Sequence, residues 1–571
     1  MQKEQLIQVK ERRFVPRDFE LSSFGSVEKF YIDLEERAID TQEAFERWLE
    51  DWDELSAVLS EDMRWKYIRT SKDTSDELAQ KVLQDFYLNT EPLLKPRENT
   101  LRKKFAASPW KNNLSQDYTN FKKAIEVDNK LFNEANIELA KELSLKENEY
   151  ASISGAWSVV LDGEEITMQQ AQKHLRSTDR TLRQKVFNLI AARQQEDKLK
   201  LDELLSDLVR LRHQFALNAG YDNFRDYSFD AMHRFDYTAA DCESFHEAVA
   251  SEIVPFLNVF NEERRKDLGV EKLKPWDLSV DSLNRNPLQP FQTTEEFIAK
   301  TVTCFNKLDA YFGACIENMQ VADRLDLESR KAKAPGGYLM PMPESGIPLI
   351  FMNHASTEGD VRVMVHEGGH AIHSFLAYAI PSSSLRSTPS EVSELASMSM
   401  ELFSLENWES FYPDKEDLNR AKKNHLEGLL KLLPSIAKGD AFQHWMYTNP
   451  NHSVEERHVK WKELGVKYGS SLVDYSDNED LLLNSYQQIL HFYQVPFYYI
   501  EYGFAQLGAI ALWKNYKSNP EKTIQSYKKA LSLGYTRTIP ELYHAAGIQF
   551  DFSKEYVRSL ALFVKGEMAS L

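Results

Sequence analysis

The chain has 571 residues, 42% hydrophobic and 12% aromatic, which suits a packed interior and excludes general disorder. A formal net charge of −19 excludes wholesale binding to nucleic acid or to an anionic membrane surface. Cys242, Cys304 and Cys315 are too few and too scattered for a disulfide framework or a thiolate metal site, and no signal peptide or 18-residue apolar run occurs, so a soluble, reducing, cytoplasmic setting is expected.

The first part of the chain reads as amphipathic helices. In LEDWDELSAVLSEDMRWKYI (residues 49–68), Trp52, Leu55, Leu59 and Met63 recur at helical spacing with acidic residues between them. No chemistry is read before about residue 150. WSVVLDGEEITM then places two short β-type runs around Asp162-Gly163, a strong hairpin signal. Helical pattern resumes from Met168, and NAGYDN reads as a helix stop with Gly220 just past the end.

GGYLMPMPESGIPLIFMN (residues 336–353) predicts a strand over 337–342, a turn at PESG, and a second strand over 347–353. Pro348 cannot donate a ladder hydrogen bond, so it favours an edge strand or a strand's first residues. Such an edge is either a capped structural hairpin or a place where an extended peptide can pair.

Thr357-Glu358-Gly359-Asp360 resembles a capping box and predicts a helix start, with Val361, Val365, Ile372, Leu376 and Ala379 as its apolar stripe and Pro381 as its end. That helix carries VHEGGHAIHSF. His366 and His370, at i and i+4, lie one above the other and can converge on a zinc ion. Glu367, about 100° around the helix, is badly placed as a ligand and well placed as a general base, the logic of H-E-x-x-H. His373 reads as core or as outer support rather than as a ligand. Gly368 and Gly369 cost helix stability and mark a close approach by another element.

A peptidase class with a third histidine ten positions after the first is excluded, because that position is Leu376. The next helix, in STPSEVSELASMSMELF, offers Glu391, Glu394 and Glu401. Thr388 reads as its N-cap, Pro389 as its first residue and Glu391 as the partner closing a capping box. Glu394, one turn inside, is the expected third ligand, with Glu391 the competitor. Glu401 falls on nearly the same face and supports a ligand from outside by a hydrogen bond. Two histidines and one glutamate leave the fourth position open, as in a catalytic rather than a structural zinc.

With these residues in hand, the chain resembles the M3 family of zinc peptidases, specifically its oligoendopeptidase F branch. VHEGGHAIHSF, SEVSELASMSMELF, KAPGGYLMPMPESGIPLIFMN, LNAGYDNFRDY and ILHFYQVPFYYIEYGFAQLGA carry the resemblance, in family order, over more than half the chain. One departure is Gly368, where many members carry a bulkier apolar residue; every proposed ligand is intact. The resemblance implies a mainly α, elongated multi-helix body of gluzincin type, with a deep channel and a small β-hairpin or sheet beside the zinc helix. It implies one Zn2+ per chain and short, unstructured peptides as substrates, and it favours strand addition at Gly336, Gly337 and Tyr338.

It also implies that His491, Tyr499 and Tyr502 contact the substrate and the tetrahedral intermediate, with Tyr498 as a neighbouring candidate; Phe497 and Phe504 read as core. A phenol is a suitable oxyanion donor. The expected division is an N-terminal helical domain with a small hairpin over 1–195 and a catalytic domain over 196–571. Glu391 and Glu401 stand as outer supports of the zinc ligands, and neither a partner protein nor an oligomer is required. The expected activity is metal-assisted cleavage of internal peptide bonds. An exopeptidase with the same site, or an inactive peptide-binding relative, is the alternative.

Overall fold

In the computed structural model, which describes residues 6–7 and 9–571, twenty-four α-helices and five short β-strands make a mainly α protein. The opening MQKEQLIQVKERRF, read above for a leader, lies partly outside the described residues. Among the described residues no helix is long and apolar enough to cross a membrane. Contacts divide the chain into two compact units, each drawn from three stretches of sequence. The first takes Met1–Glu134, Gln289–Leu418 and Gly508–Phe550, and the second Ala135–Leu288, Asn419–Leu507 and Asp551–Leu571.

In the first unit, the helix Gln42–Lys72 begins where Thr41 accepts a hydrogen bond from the Ala44 N–H at 3.2 Å. Its stripe of Trp48, Trp52, Leu55 and Leu59 is buried, and Met63 packs half-buried against the same core. Trp48 Nε1 donates to the Leu34 carbonyl at 2.9 Å, which satisfies the one polar atom that this ring brings inside.

The unit's sheet holds β3 (Leu325–Glu328), β4 (Tyr338–Met340) and β5 (Leu349–His354) in the order β3-β5-β4. β4 and β5 are antiparallel, with Tyr338 opposite Phe351 and Met340 opposite Leu349. Of the two readings of Pro348, an edge strand or a strand's first residues, the structure favours the second. The strand after Pro348 is central, because β3 pairs parallel to its other side, and the terminal strand is β4. Leu349, Ile350, Phe351 and Met352 are accordingly all buried. Pro348 sits just before the strand, where its missing N–H costs no ladder bond. Lys333 locks the layer, its Nζ donating to the carbonyls of Asp326 (3.0 Å), Glu328 (2.8 Å) and Met352 (2.6 Å).

In the second unit, β1 (Ser158–Leu161) and β2 (Glu164–Thr167) form the hairpin read from Asp162-Gly163. Both turn residues have positive φ, 53° and 90°, which a type I′ turn requires. The helix Lys198–Asn218 ends as expected, with Gly220 at φ 83° and the Tyr221 N–H donating back to the Ala216 carbonyl at 3.0 Å.

Candidate metal centre

The helix Glu358–Ala377 opens at Thr357, where the Asp360 carboxylate accepts from the Thr357 N–H at 2.7 Å and its hydroxyl at 2.9 Å. It packs against β4, β5 and the helix Ser390–Ser404. The second start differs from expectation. Pro389 is the extended N-cap, the helix begins at Ser390, and the Thr388 hydroxyl pairs with the Ser393 hydroxyl at 3.0 Å. Thr388 is therefore not the N-cap, and Glu391 lies in the first turn, 2% exposed.

The two helices touch backbone to backbone. A Cβ on Gly369 would stand 2.6 Å from Ser397 Cα and 2.7 Å from the Ala396 carbonyl oxygen. One turn before Ser397, Glu394 is thereby held over the histidines. Its Oε2 lies 3.3 Å from His366 Nε2 and 3.7 Å from His370 Nε2. One ligand atom from each of these three residues falls within 4.8 Å of the others. Glu401 Oε1 accepts a 2.7 Å hydrogen bond from His366 Nδ1, which turns the Nε2 lone pair toward Glu394 and His370. Ser397 Oγ donates to Glu394 Oε2 at 3.0 Å.

Electrostatics match this crowding. Burial alone would lower His366, yet Glu394 and Glu401 outweigh it and hold the imidazole well above its ordinary range. Burial takes His370 down to about 4, against the pull of Glu394. Burial pushes the Glu367 carboxyl up to about 7, with Glu394 adding to the shift and His366 opposing it; a backbone hydrogen bond from Leu339 in β4 also opposes it. Two imidazole nitrogens and a carboxylate converging in a nearly dry site could hold a zinc ion, and a dication there would relieve the carboxylate crowding. His373 stays outside the cluster: it is buried, and burial, with His370 adding to the shift, takes it down to about 3, a neutral core side chain.

Gly336, at φ 97°, turns the chain into β4, and Asn353 Nδ2 donates to its carbonyl at 2.9 Å. Gly337 lies so close to β5 that a Cβ would meet the Phe351 carbonyl oxygen at 3.3 Å. Tyr338 stacks on Phe351 with ring centroids 4.9 Å apart, so its ring serves the sheet.

In the second unit, the structure brings His491 together with the three tyrosines. Its ring centroid lies 4.9 Å from Tyr499, 5.9 Å from Tyr502 and 6.2 Å from Tyr498. Ser435 hydrogen-bonds the Tyr499 phenol, whose ring fills the space where Gly439 has no side chain. Phe497 and Phe504 are buried, as expected of core. Phe497 holds φ 67°, kept there by Gln443 Oε1 on its N–H (2.7 Å) and Arg234 on its carbonyl (2.5 Å).

A family model described as peptidase family M3 matches residues 173–562, and one described as the peptidase M3 N-terminal domain matches residues 14–132. The chain belongs to peptidase family M3. This M3 chain is 23% identical over 295 residues to an oligoendopeptidase F homolog of Borreliella burgdorferi, covering 50% of this chain and 48% of that one. It is 24% identical over 321 residues to an oligoendopeptidase F homolog of Mycoplasma pneumoniae, covering 51% and 50%. The alignment thus spans about half the length of these curated relatives. A solved structure of PZ peptidase A with an inhibitor is 27% identical, with a TM-score of 0.91 over 98% of this chain and 99% of that one. These likenesses place it in the oligoendopeptidase F branch.

In this M3 chain, three residues around the site escape sequence reasoning. Leu339 reaches Glu367 through its backbone, which no side-chain motif can signal. Arg64 and Arg386 line a cavity of about 190 Å3 together with Leu339, Met342, His370 and Tyr378. Arg64 comes from the first long helix, where no chemistry was expected, and it donates to the Pro341 carbonyl at 2.5 Å.

Proposed function

We propose that the chain hydrolyses internal bonds of short, unstructured peptides, with one Zn2+ held by His366, His370 and Glu394. The observation that carries this reading is the convergence of those three side chains, with Glu401 fixing the His366 tautomer and Glu367 buried one residue along. When bound, zinc supplies Lewis acidity to water and to the scissile carbonyl. The Glu367 carboxylate accepts the proton of the attacking water and returns it to the leaving nitrogen as the C–N bond breaks. Glu401 holds the proton on His366 Nδ1, and Glu391 supports the same helix turn from its buried position. The backbone of Gly336, Gly337 and Tyr338, leading into the terminal strand β4, adds the substrate as a further strand.

His491 with Tyr499 or Tyr502 steadies the oxyanion, and Tyr498 contacts substrate. The catalytic part runs over 196–571 and the N-terminal part over 1–195. The setting is cytoplasmic, and activity needs neither a partner protein nor an oligomer.

Two expected outcomes test the reading. A nested series of end-blocked and unblocked peptides is cut internally, with a length cutoff, and a chelator stops the reaction until zinc is restored. Cuts confined to one unblocked end make the protein an exopeptidase; zinc binding without any cut removes the activity altogether. Glu401→Gln weakens zinc affinity about 10–100-fold, read by competition with a chromophoric chelator, because the His366 tautomer loses its anchor. Unchanged affinity in that variant counts against His366 as a ligand.

A further inference from the structure

Away from that centre, the second unit holds another convergence of metal-binding side chains. Cys242 and His246 lie four residues apart on the helix Ala239–Glu252. Asp440 and His444 lie four apart on the helix Lys415–Thr448. This spacing puts each pair on one helix face, and the two faces meet. Cys242 and Asp440 are 0% exposed, His246 4% and His444 6%. One ligand atom each from Cys242, Asp440 and His444 falls within 4.8 Å of the others, the same closeness as at the H-E-x-x-H centre.

The hydrogen bonds leave the ligand atoms on the inside. His246 Nε2 donates to Asp440 Oδ2 at 2.9 Å, which leaves Oδ1, a buried oxygen with no hydrogen-bond partner. His444 Nε2 is 3.2 Å from Asp440 Oδ2 but outside hydrogen-bond geometry, and neither nitrogen of that ring has a partner. Phe229 and Phe497 wall the His444 ring, with centroids at 6.0 and 5.6 Å. Orphaned polar atoms this deep cost stability unless something takes them up.

We propose that Cys242, Asp440 and His444 bind a second divalent ion of zinc type, with His246 as the outer hydrogen-bond partner of the Asp440 carboxylate. Thiolate, carboxylate and imidazole are all zinc donors. Tetrahedral zinc sets its donors on the order of 3.3–3.8 Å apart, and Asp440 Oδ2 already lies 3.2 Å from His444 Nε2. Two anionic ligands cancel the charge of the ion, as a dry site demands. A carboxylate holding a histidine N–H while another of its atoms meets the metal is the usual orienting arrangement. The ion cross-links two helices. The second carries Gln443, which restrains Phe497 just before Tyr498 and Tyr499, so the ion braces the helix that holds this turn.

Cobalt distinguishes the two centres, because only this one contains sulfur. Full-length protein stripped with a chelator and reloaded with Co2+ alone is expected to retain two equivalents per chain. It should also show a thiolate-to-cobalt charge-transfer band in the near ultraviolet. Glu394→Gln should fall to one equivalent and keep the band, whereas Cys242→Ser should lose the band and keep one equivalent. His444→Gln serves as the second variant if the serine protein does not fold. One equivalent without the band overturns the proposal, as does a band that survives Cys242→Ser or, in its place, His444→Gln.

Discussion

Glu367→Gln lowers the rate of peptide cleavage by about 10²–10⁴-fold, the usual contribution of a positioned general base, and leaves the metal content at the wild-type level. The amide keeps the size of the side chain and can still accept the Leu339 hydrogen bond, but it cannot take a proton from water. Because Glu367 is 8% exposed, no bulk solvent base reaches the same position to replace it. Burial, the largest of several influences, leaves its carboxyl near 7, so a neighbouring dication, by favouring the ionised form, would set it as a base at neutral pH. Turnover of an internally quenched peptide, measured beside zinc content, separates this from a folding defect. A variant that keeps its zinc and more than about a tenth of its turnover removes Glu367 from the proton path.

The histidine-bearing helix is legible in the sequence because three independent signals agree on it: the Thr357–Asp360 start, the apolar stripe and the i, i+4 histidines. Glu394 is legible for the same reason, since helical spacing from Pro389 places it one turn inside. The misreading at Thr388 comes from a rule about local hydrogen bonds meeting a tertiary demand. Thr388 is not the N-cap because the helix starts one residue later, with Glu391 buried in its first turn. The strand β3 escapes because Leu325-Asp326-Leu327-Glu328 is only four residues long and pairs in parallel with a distant segment, Leu325 opposite Ile350. Without that neighbour in view, Pro348 could mark either an edge strand or a strand's start. Arg64 and Arg386 escape because the cavity is assembled from separate stretches, none of which carries a motif. Cys242, His246, Asp440 and His444 are passed over for a related reason. Counting cysteines looks for several thiols together, while this set has one, and its two halves are joined only by helix packing.

Gly369→Ala destabilises the protein by about 1–3 kcal/mol and loosens its hold on zinc at least about tenfold, whereas Gly368→Ala is nearly neutral. Read from sequence, the two glycines are equivalent marks of close approach. The structure separates them. At Gly369 the added carbon meets the backbone of Ser397 at 2.6 Å and the Ala396 carbonyl at 2.7 Å, with Met400 Cβ at 2.9 Å, and a helix backbone cannot step aside alone. The helix bearing Glu394 must move off the helix bearing His366 and His370, which spoils the convergence that a metal needs. At Gly368 the carbon meets only the far edge of the Phe305 ring, at 2.6 Å. That ring can shift, and the gain of about 1 kcal/mol in helix propensity offsets the cost. Phe305→Leu combined with Gly368→Val is accordingly expected to fold with near wild-type stability and zinc content. Thermal melts and zinc affinity of the alanine pair decide the matter. Equal losses in both variants would mean that backbone contact at Gly369 does not set the geometry of the centre.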